Sequence, residues 1–169
     1  MMYTVSLTID NVIDALADFL QLFVGTAEIV RAQVNRTPMP TTPCVVLTEL
    51  LQVDLETPYI TNDGDNNQIT SKGRQRIDVQ IDFYGPDAGN QCAAVKSVFR
   101  TPYCAAQFPD NIQPLYCGDG IQSPLITGEE QWQSRFTLTA SLQYNPVVTL
   151  PQQFADTATV VTYNPVDLT

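Results

Sequence analysis

Two carboxylates on one predicted strand, Asp78 and Asp82, have the spacing most suggestive of acid-base chemistry. Paired carboxylates serve as general acid and base, or as the two catalytic groups of a glycosidase. Residues four apart on one face of a strand lie roughly 13 Å apart, too far to cooperate unless a second strand contributes. The spacing therefore favours a solvated or subunit-facing polar surface over a catalytic pair.

The run Asp63-x-Asp65-x-Asn67 resembles the start of a calcium loop, because alternate oxygen side chains can converge on one hard cation. Such loops need a turn-forming Gly at the sixth position and a bidentate Glu at the twelfth. Counted from Asp63, these positions hold Gln68 and Arg74. The run therefore predicts a polar loop tip, and we expect neither a metal site nor a cofactor.

The sequence has no histidine, so Ser-His-Asp and Cys-His catalytic arrangements cannot form. Its cysteines never form the C-x-x-C pairs typical of zinc and thioredoxin-like sites. We expect buried, reduced thiols in a reducing compartment. A disulfide between Cys104 and Cys117 is the alternative under oxidising conditions. The four cysteines are Cys44, Cys92, Cys104 and Cys117.

The carboxylates lie in the stretch 74–85, where apolar residues alternate with polar ones and so predict a half-buried strand. Turn residues follow, and then a helical pattern from Asp87 to Phe99. Near the start of the chain, apolar residues at helical spacing predict an amphipathic helix that Thr8 or Asp10 can cap and Gly25 can end. These apolar residues are Ile9, Val12, Ile13, Leu16, Phe19, Leu20 and Phe23.

Further strands are predicted at 28–34, 44–55, 115–117 and 131–144, with an extended Pro-rich connection at 37–43. The polar stretch 57–73 is either disordered or used for binding. Together these elements predict an α+β fold, a mostly antiparallel sheet flanked by two helices. We expect one domain at 1–145 and an extended Pro-rich arm at 146–169, which either adds a strand to a neighbour's sheet or is a mobile tail.

With 8 Lys plus Arg against 18 Asp plus Glu, the 169-residue chain has a formal net charge of -10, which disfavours nucleic-acid binding. Its N-terminal region lacks the pattern of a signal peptide or membrane span, so we expect synthesis in the cytoplasm and no membrane partner. Lys72, Arg74 and Arg76 concentrate positive charge at the exit of the polar loop. This patch could pair with carboxylates of an identical neighbour, or it could be ordinary solvated charge.

The chain resembles the phage neck or tail-terminator proteins over roughly residues 5–145. Three features carry the resemblance: the acidic amphipathic helix at the start, the strand and helix from Gly73 to Arg100, and the closing strand that ends in Gln143-Tyr144-Asn145. Their motifs are structural rather than catalytic. The Pro-rich arm lies outside the resemblance.

The resemblance implies a virion protein without enzymatic activity. Such a protein is expected to form a ring, commonly of six identical subunits, at the head-proximal end of the tail. The ring ends polymerisation of the tail tube and sheath, contacts the neck or connector protein, and lets genome DNA pass without specific binding. The predicted contacts to subunits or partners are Tyr59, Asp63, Asp65, Lys72, Arg74, Arg76, Pro146 and Pro151. The alternatives are another tail, baseplate or head-completion subunit, a small carboxylate-dependent enzyme, and a soluble binding module.

Overall fold

The computed structural model describes residues 3–33, 43–123, 125–126 and 132–153. Within these ranges the chain forms three helices and twelve strands, so the predicted α+β class is confirmed. The helices are α1 (Ile9–Val24), α2 (Ala88–Val98) and α3 (Pro102–Ala105). The strands are β1 (Thr4–Val5), β2 (Glu28–Arg31), β3 (Cys44–Asp54), β4 (Tyr59–Asp63), β5 (Gln68–Lys72), β6 (Gln75–Tyr84), β7 (Ile112–Cys117), β8 (Ile121–Gln122), β9 (Leu125–Ile126), β10 (Trp132–Gln133), β11 (Arg135–Tyr144) and β12 (Val147–Pro151).

Helix α1 begins and ends as its sequence predicts. The Thr8 hydroxyl accepts a hydrogen bond from the Asn11 backbone N–H, and the Asn11 side chain accepts one from the Thr8 N–H, so the two residues form a capping box. Gly25 ends the helix at φ 61°, a conformation that costs glycine little. The apolar stripe of α1 is buried, and Phe19 packs against Phe99 and Phe108.

The main sheet has the strand order β2-β3-β6-β11-β7, and β8 also pairs with β11. Apart from the parallel pair β2–β3, its neighbouring strands are antiparallel. Strand β6, which the stretch 74–85 predicted, lies at the centre of this sheet and pairs along its whole length with β3 and β11. Alternation places its apolar residues Ile77, Val79, Ile81 and Phe83 under the helices, and all four are fully buried.

The polar stretch between β3 and β6 is not disordered, because it forms the antiparallel hairpin β4–β5, and its use in binding stays a prediction. Pairing with β12 and then β1 makes a small four-stranded sheet of order β1-β12-β5-β4. The sequence analysis missed the hairpin because β4 is largely exposed and β5 only partly buried, so neither strand has a continuously buried face that would impose an apolar alternation. The β-branched residues Ile60, Thr61, Ile69 and Thr70 nevertheless favour extended structure.

The first part of the predicted arm also belongs to the small sheet. Residues Val147–Pro151 pair with β5 on one side, and Val148 and Thr149 pair with β1 on the other. They therefore extend a sheet of their own chain, and neither alternative for the arm holds for them. The division at residue 145 stays a prediction, and residues 154–169 lie outside the described residues, as do 34–42.

Smaller differences concern the ends of elements. The predicted strand 131–144 is interrupted at Ser134, so that Trp132–Gln133 pairs with β9 while β11 begins at Arg135. Strand β1, only two residues long, was not predicted. Helix α3 is a single turn whose cap is Thr101, with Pro102 at its first position.

Candidate assembly surface

The two sheets meet at Asn145-Pro146, where the chain passes from β11 into β12. A cleft of about 230 Å³ opens at this junction. Four of the eight predicted contact residues line it: Tyr59, Lys72, Arg74 and Pro146. The remaining lining residues are Glu56, Gly73, Asn145 and Val147. Residues separated by more than seventy positions in the sequence therefore share one surface, because β5 pairs with both β4 and β12.

An ion pair forms one wall of the cleft. Arg74 donates from Nε and Nη2 to Glu56 Oε2 at 2.9 and 2.5 Å, and its backbone N–H donates to Glu56 Oε1 at 3.2 Å. These hydrogen bonds lower the pKa of the Glu56 carboxyl and raise the pKa of Arg74. The charge of Arg74 is therefore balanced within the chain. Lys72 has no salt bridge to any of the described residues.

Asp63, Asp65 and Pro151 lie at the opposite end of the small sheet, around the hairpin tip. Asp63 accepts hydrogen bonds from the Asn66 backbone N–H at 3.1 Å and from its side-chain amide at 2.7 Å, which lower the pKa of Asp63. Pro151 is the register partner of Gln68, which follows the turn. The Asp63-x-Asp65-x-Asn67 run is therefore a hairpin turn, and the described residues contain no group of metal-ligating side chains.

Arg76 lies apart from the other predicted contacts, on the face of the main sheet opposite the helices. Its Nε is 3.2 Å from Asp78 Oδ1. Asp78 also accepts a hydrogen bond from the Ser141 hydroxyl at 2.6 Å. The guanidinium is therefore paired within the chain, like that of Arg74.

The carboxylate of Asp82 is buried within its own chain, so for this residue the prediction of a solvated or subunit-facing polar surface is wrong. Asp82 is 3% exposed. Arg135 donates to its Oδ1 from Nε at 3.1 Å and from Nη2 at 3.0 Å, and the Thr137 hydroxyl donates at 2.6 Å. Gln80 donates to Oδ2 at 2.7 Å. Because donors surround this carboxylate, its desolvation is compensated and its role is to bind β6 to β11.

The four cysteines are free thiols, of which Cys44, Cys92 and Cys104 are buried. Burial raises the pKa of Cys104 to about 12 and raises the pKa of Cys117 as well. A thiol with a raised pKa carries little thiolate at neutral pH and is a poor nucleophile. These side chains therefore contribute packing rather than reactivity.

The sequence analysis missed the exposed edge of the small sheet. Tyr59 is 70% exposed and Ile60 57% exposed, both on β4, which pairs with β5 alone among the described strands. For strand β4, the β-branched pair Ile60-Thr61 was the one signal in the sequence.

A second cleft, mostly apolar and about 280 Å³ in volume, also borders Pro146. Val5, Leu7, Ile9, Tyr144 and Val148 contribute its apolar lining.

This arrangement of charged and exposed apolar groups suits contact with other proteins. No helix among the described residues is long and apolar enough to cross a membrane. A search of curated proteins found no match. Residues 10–167 match the family described as phage neck terminator protein. The chain therefore belongs to this family, which gives it a structural role in completing the phage neck and tail.

Proposed function

From its membership of the phage neck terminator family, we propose that this chain forms a ring of identical subunits at the head-proximal end of a phage tail. The ring ends polymerisation of the tail tube, and of the sheath where one is present, and it joins the tail to the neck or connector protein. Six subunits is the number implied by the resemblance. The chain is made in the host cytoplasm and becomes part of the virion.

The family match, which covers 158 of 169 residues (10 to 167 inclusive), is the observation that carries this proposal. The small sheet supports it, because a structural protein acts through its contacts and this sheet presents many exposed groups. Lys72 offers a cation without a salt bridge to any described residue, and Tyr59 offers a large amphipathic ring that is 70% exposed. We assign the contacts between ring subunits to the predicted residues of the junction cleft and the hairpin tip.

The charge of the chain suits a channel that DNA passes through. A formal net charge of -10 opposes binding of a phosphate backbone. Five of the chain's eight cations form ion pairs with carboxylates of the same chain: Arg31, Arg74, Arg76, Lys96 and Arg135. Few counterions would be released by contact with DNA, so the genome gains little affinity for the ring and can slide through it.

The test is to stop translation of this chain in the phage that encodes it and to image the particles by electron microscopy. We expect heads without attached tails and free tails of abnormal length, with both defects corrected by the wild-type chain supplied from a plasmid. Antibody-gold should label wild-type particles at the head-tail junction. Label at the far end or along the tail would instead indicate a baseplate or tube subunit. Normal particles without the chain would refute the proposal.

A further inference from the structure

Strand β4 is an edge strand, and the side of its backbone that faces away from β5 pairs with no strand among the described residues. Tyr59–Asp63 pairs in regular register with β5. The first four residues of the strand are exposed. An open edge of this kind offers unpaired N–H and C=O groups to any compatible strand.

The other sheet edges carry features that discourage pairing. Strand β7 contains Pro114, and a register irregularity interrupts its pairing with β11. Strand β2 is four residues long with charged Glu28 and Arg31 at its ends, and β1, β8, β9 and β10 are each two residues long. Strand β4 contains no proline, bulge or lysine, and its one charged residue, Asp63, is bound to Asn66. Since these protections are missing, β4 is suited to accept a strand.

After the described residues, the sequence contains a segment whose composition favours a strand. The segment Thr157–Tyr163 is seven uncharged residues, Thr-Ala-Thr-Val-Val-Thr-Tyr, of which all but Ala158 are β-branched or aromatic. Asn164-Pro165 follows it with turn chemistry. The family match extends to residue 167, so this segment belongs to the matched sequence rather than to an appendage.

The exit of the chain from the small sheet favours pairing with another copy. Strand β12 ends at Pro151 beside the hairpin tip, where the Gln152 N–H donates to the Asn67 carbonyl at 2.8 Å. The link 152–156 spans at most about 17 Å. To reach the outer side of its own β4, the link would cross about 14 Å of sheet and then reverse, which uses nearly its whole span. The position of a neighbouring copy is not limited by the length of this link, so pairing with the β4 of that copy carries no such restriction.

We propose that residues 157–163 of one copy pair as an added strand with β4 of the next copy. The inference rests on the proposed ring, and it specifies how consecutive subunits join. Each subunit gives one strand and receives one, which is a head-to-tail contact that closes when the rotation between subunits closes. Backbone hydrogen bonds provide the affinity, and the exposed side chains of Tyr59 and Ile60 border the added strand.

The test uses two full-length variants that break opposite sides of the same contact. Ile60→Lys places a charge on the edge, and Val161→Lys places one in the donated segment. Asn90→Lys on the exposed face of α2 and Thr169→Lys at the chain end are the matched controls. We expect each contact variant alone to lose assembly and remain at the 18.7 kDa chain mass, as measured by light scattering, while the controls assemble like wild type.

Mixing the two contact variants separates exchange between copies from pairing within one chain. The Ile60→Lys copy can still donate its segment, and the Val161→Lys copy can still receive it. We therefore expect the mixture to form a heterodimer of twice the chain mass that does not grow further. Hydrogen exchange is followed at the outward amides of 59–63, those that do not donate to β5. They should be protected in wild-type assemblies and in the Val161→Lys copy of the heterodimer, and should exchange freely in the Ile60→Lys copy and in each variant alone.

Three results would overturn the inference. The contact variants could assemble like wild type, the mixture could yield no heterodimer, or the outward amides of 59–63 could exchange freely in wild type at every concentration and on isolated tails. Protection of these amides in monomeric wild type would show pairing within one chain. Failure of the proposed function is separate, because antibody label away from the head-tail junction would leave the strand exchange itself intact.

Discussion

The main and small sheets are built from similar strands, but they bury very different amounts of side chain. In the main sheet, alternate residues of β6 and β11 lie under the helices, and Ile81 and Leu138 are both 0% exposed. In the small sheet, Ile60 and Leu150 are 57% and 43% exposed. Burial drives folding in proportion to the apolar area removed from water. The comparison indicates that the main sheet determines stability, whereas the small sheet is available for contacts.

The largest difference in stability between the two sheets should appear when the same substitution, Ile to Asp, is made in each. We expect Ile81→Asp to prevent folding, because an unpaired carboxylate would lie in the apolar core beneath the helices. Ile60→Asp changes the same residue type at an exposed position and should leave the chain folded. Far-UV circular dichroism and thermal unfolding measure both variants. A cooperative, unchanged transition in Ile81→Asp would contradict the assignment of the inward face.

Shortening a leucine to alanine compares the stability contributed by the two sheets without introducing a charge. Leu138→Ala leaves a cavity between β11 and the helices and should lower the free energy of unfolding by about 2 to 5 kcal/mol. Leu150→Ala on β12 should cost about 1 kcal/mol or less, since water already reaches its side chain. Urea unfolding measures the difference. Equal losses would mean that the small sheet contributes to stability as much as the main one.

Losing a buried hydrogen-bond acceptor on the polar face of the main sheet should lower stability more than losing an exposed one. Asp82→Asn replaces an acceptor oxygen by an NH₂ group facing the donors of Arg135 and Thr137, which should cost about 2 to 4 kcal/mol. The control is Asp54→Asn, because Asp54 is exposed and accepts a hydrogen bond from Gln75 at 2.8 Å. We expect this control to leave the urea midpoint nearly unchanged, and a matching shift in both variants would refute the contrast.

The smallest effect concerns titration at the junction cleft. Because Arg74 lowers the pKa of Glu56, the stability contributed by this pair is complete above the ordinary carboxyl pKa and is lost as pH falls through the lowered value. Arg74→Gln should raise the pKa of Glu56 towards its ordinary value, as measured by carbon NMR of the carboxyl group. The pKa of Asp63 serves as the internal control, since its donor is Asn66, and it should not move.

Sequence patterns predicted the buried half of this molecule better than the exposed half. Helix α1 and strand β6 were predictable because one face of each is continuously apolar, and burial of that face leaves a period in the sequence. The hairpin β4–β5 has no buried face and so leaves no such period. Strand β1, at two residues, is too short to show one.

The candidate surface was predictable as a set of residues but not as an arrangement. Tyr59, Lys72, Arg74 and Pro146 meet because β5 pairs with both β4 and β12, and these pairings join distant parts of the chain. Nothing in the local sequence specifies them. The burial of Asp82 was missed for a related reason, since alternation shows which residues share a face but not how much water reaches it.

The connections between the two sheets have a mechanical consequence. Among the described residues, the small sheet is joined to the main sheet and α1 by four short segments, 6–8, 55–58, 73–74 and 145–146. The Leu55 N–H donates to the Arg74 carbonyl at 2.9 Å and the Ser6 N–H to the Val147 carbonyl at 3.0 Å, so hydrogen bonds link neighbouring connections. A pulling force on the small sheet would be shared among these four covalent connections. In the proposed ring, we therefore expect force from a neighbouring subunit to reach the core through several connections at once.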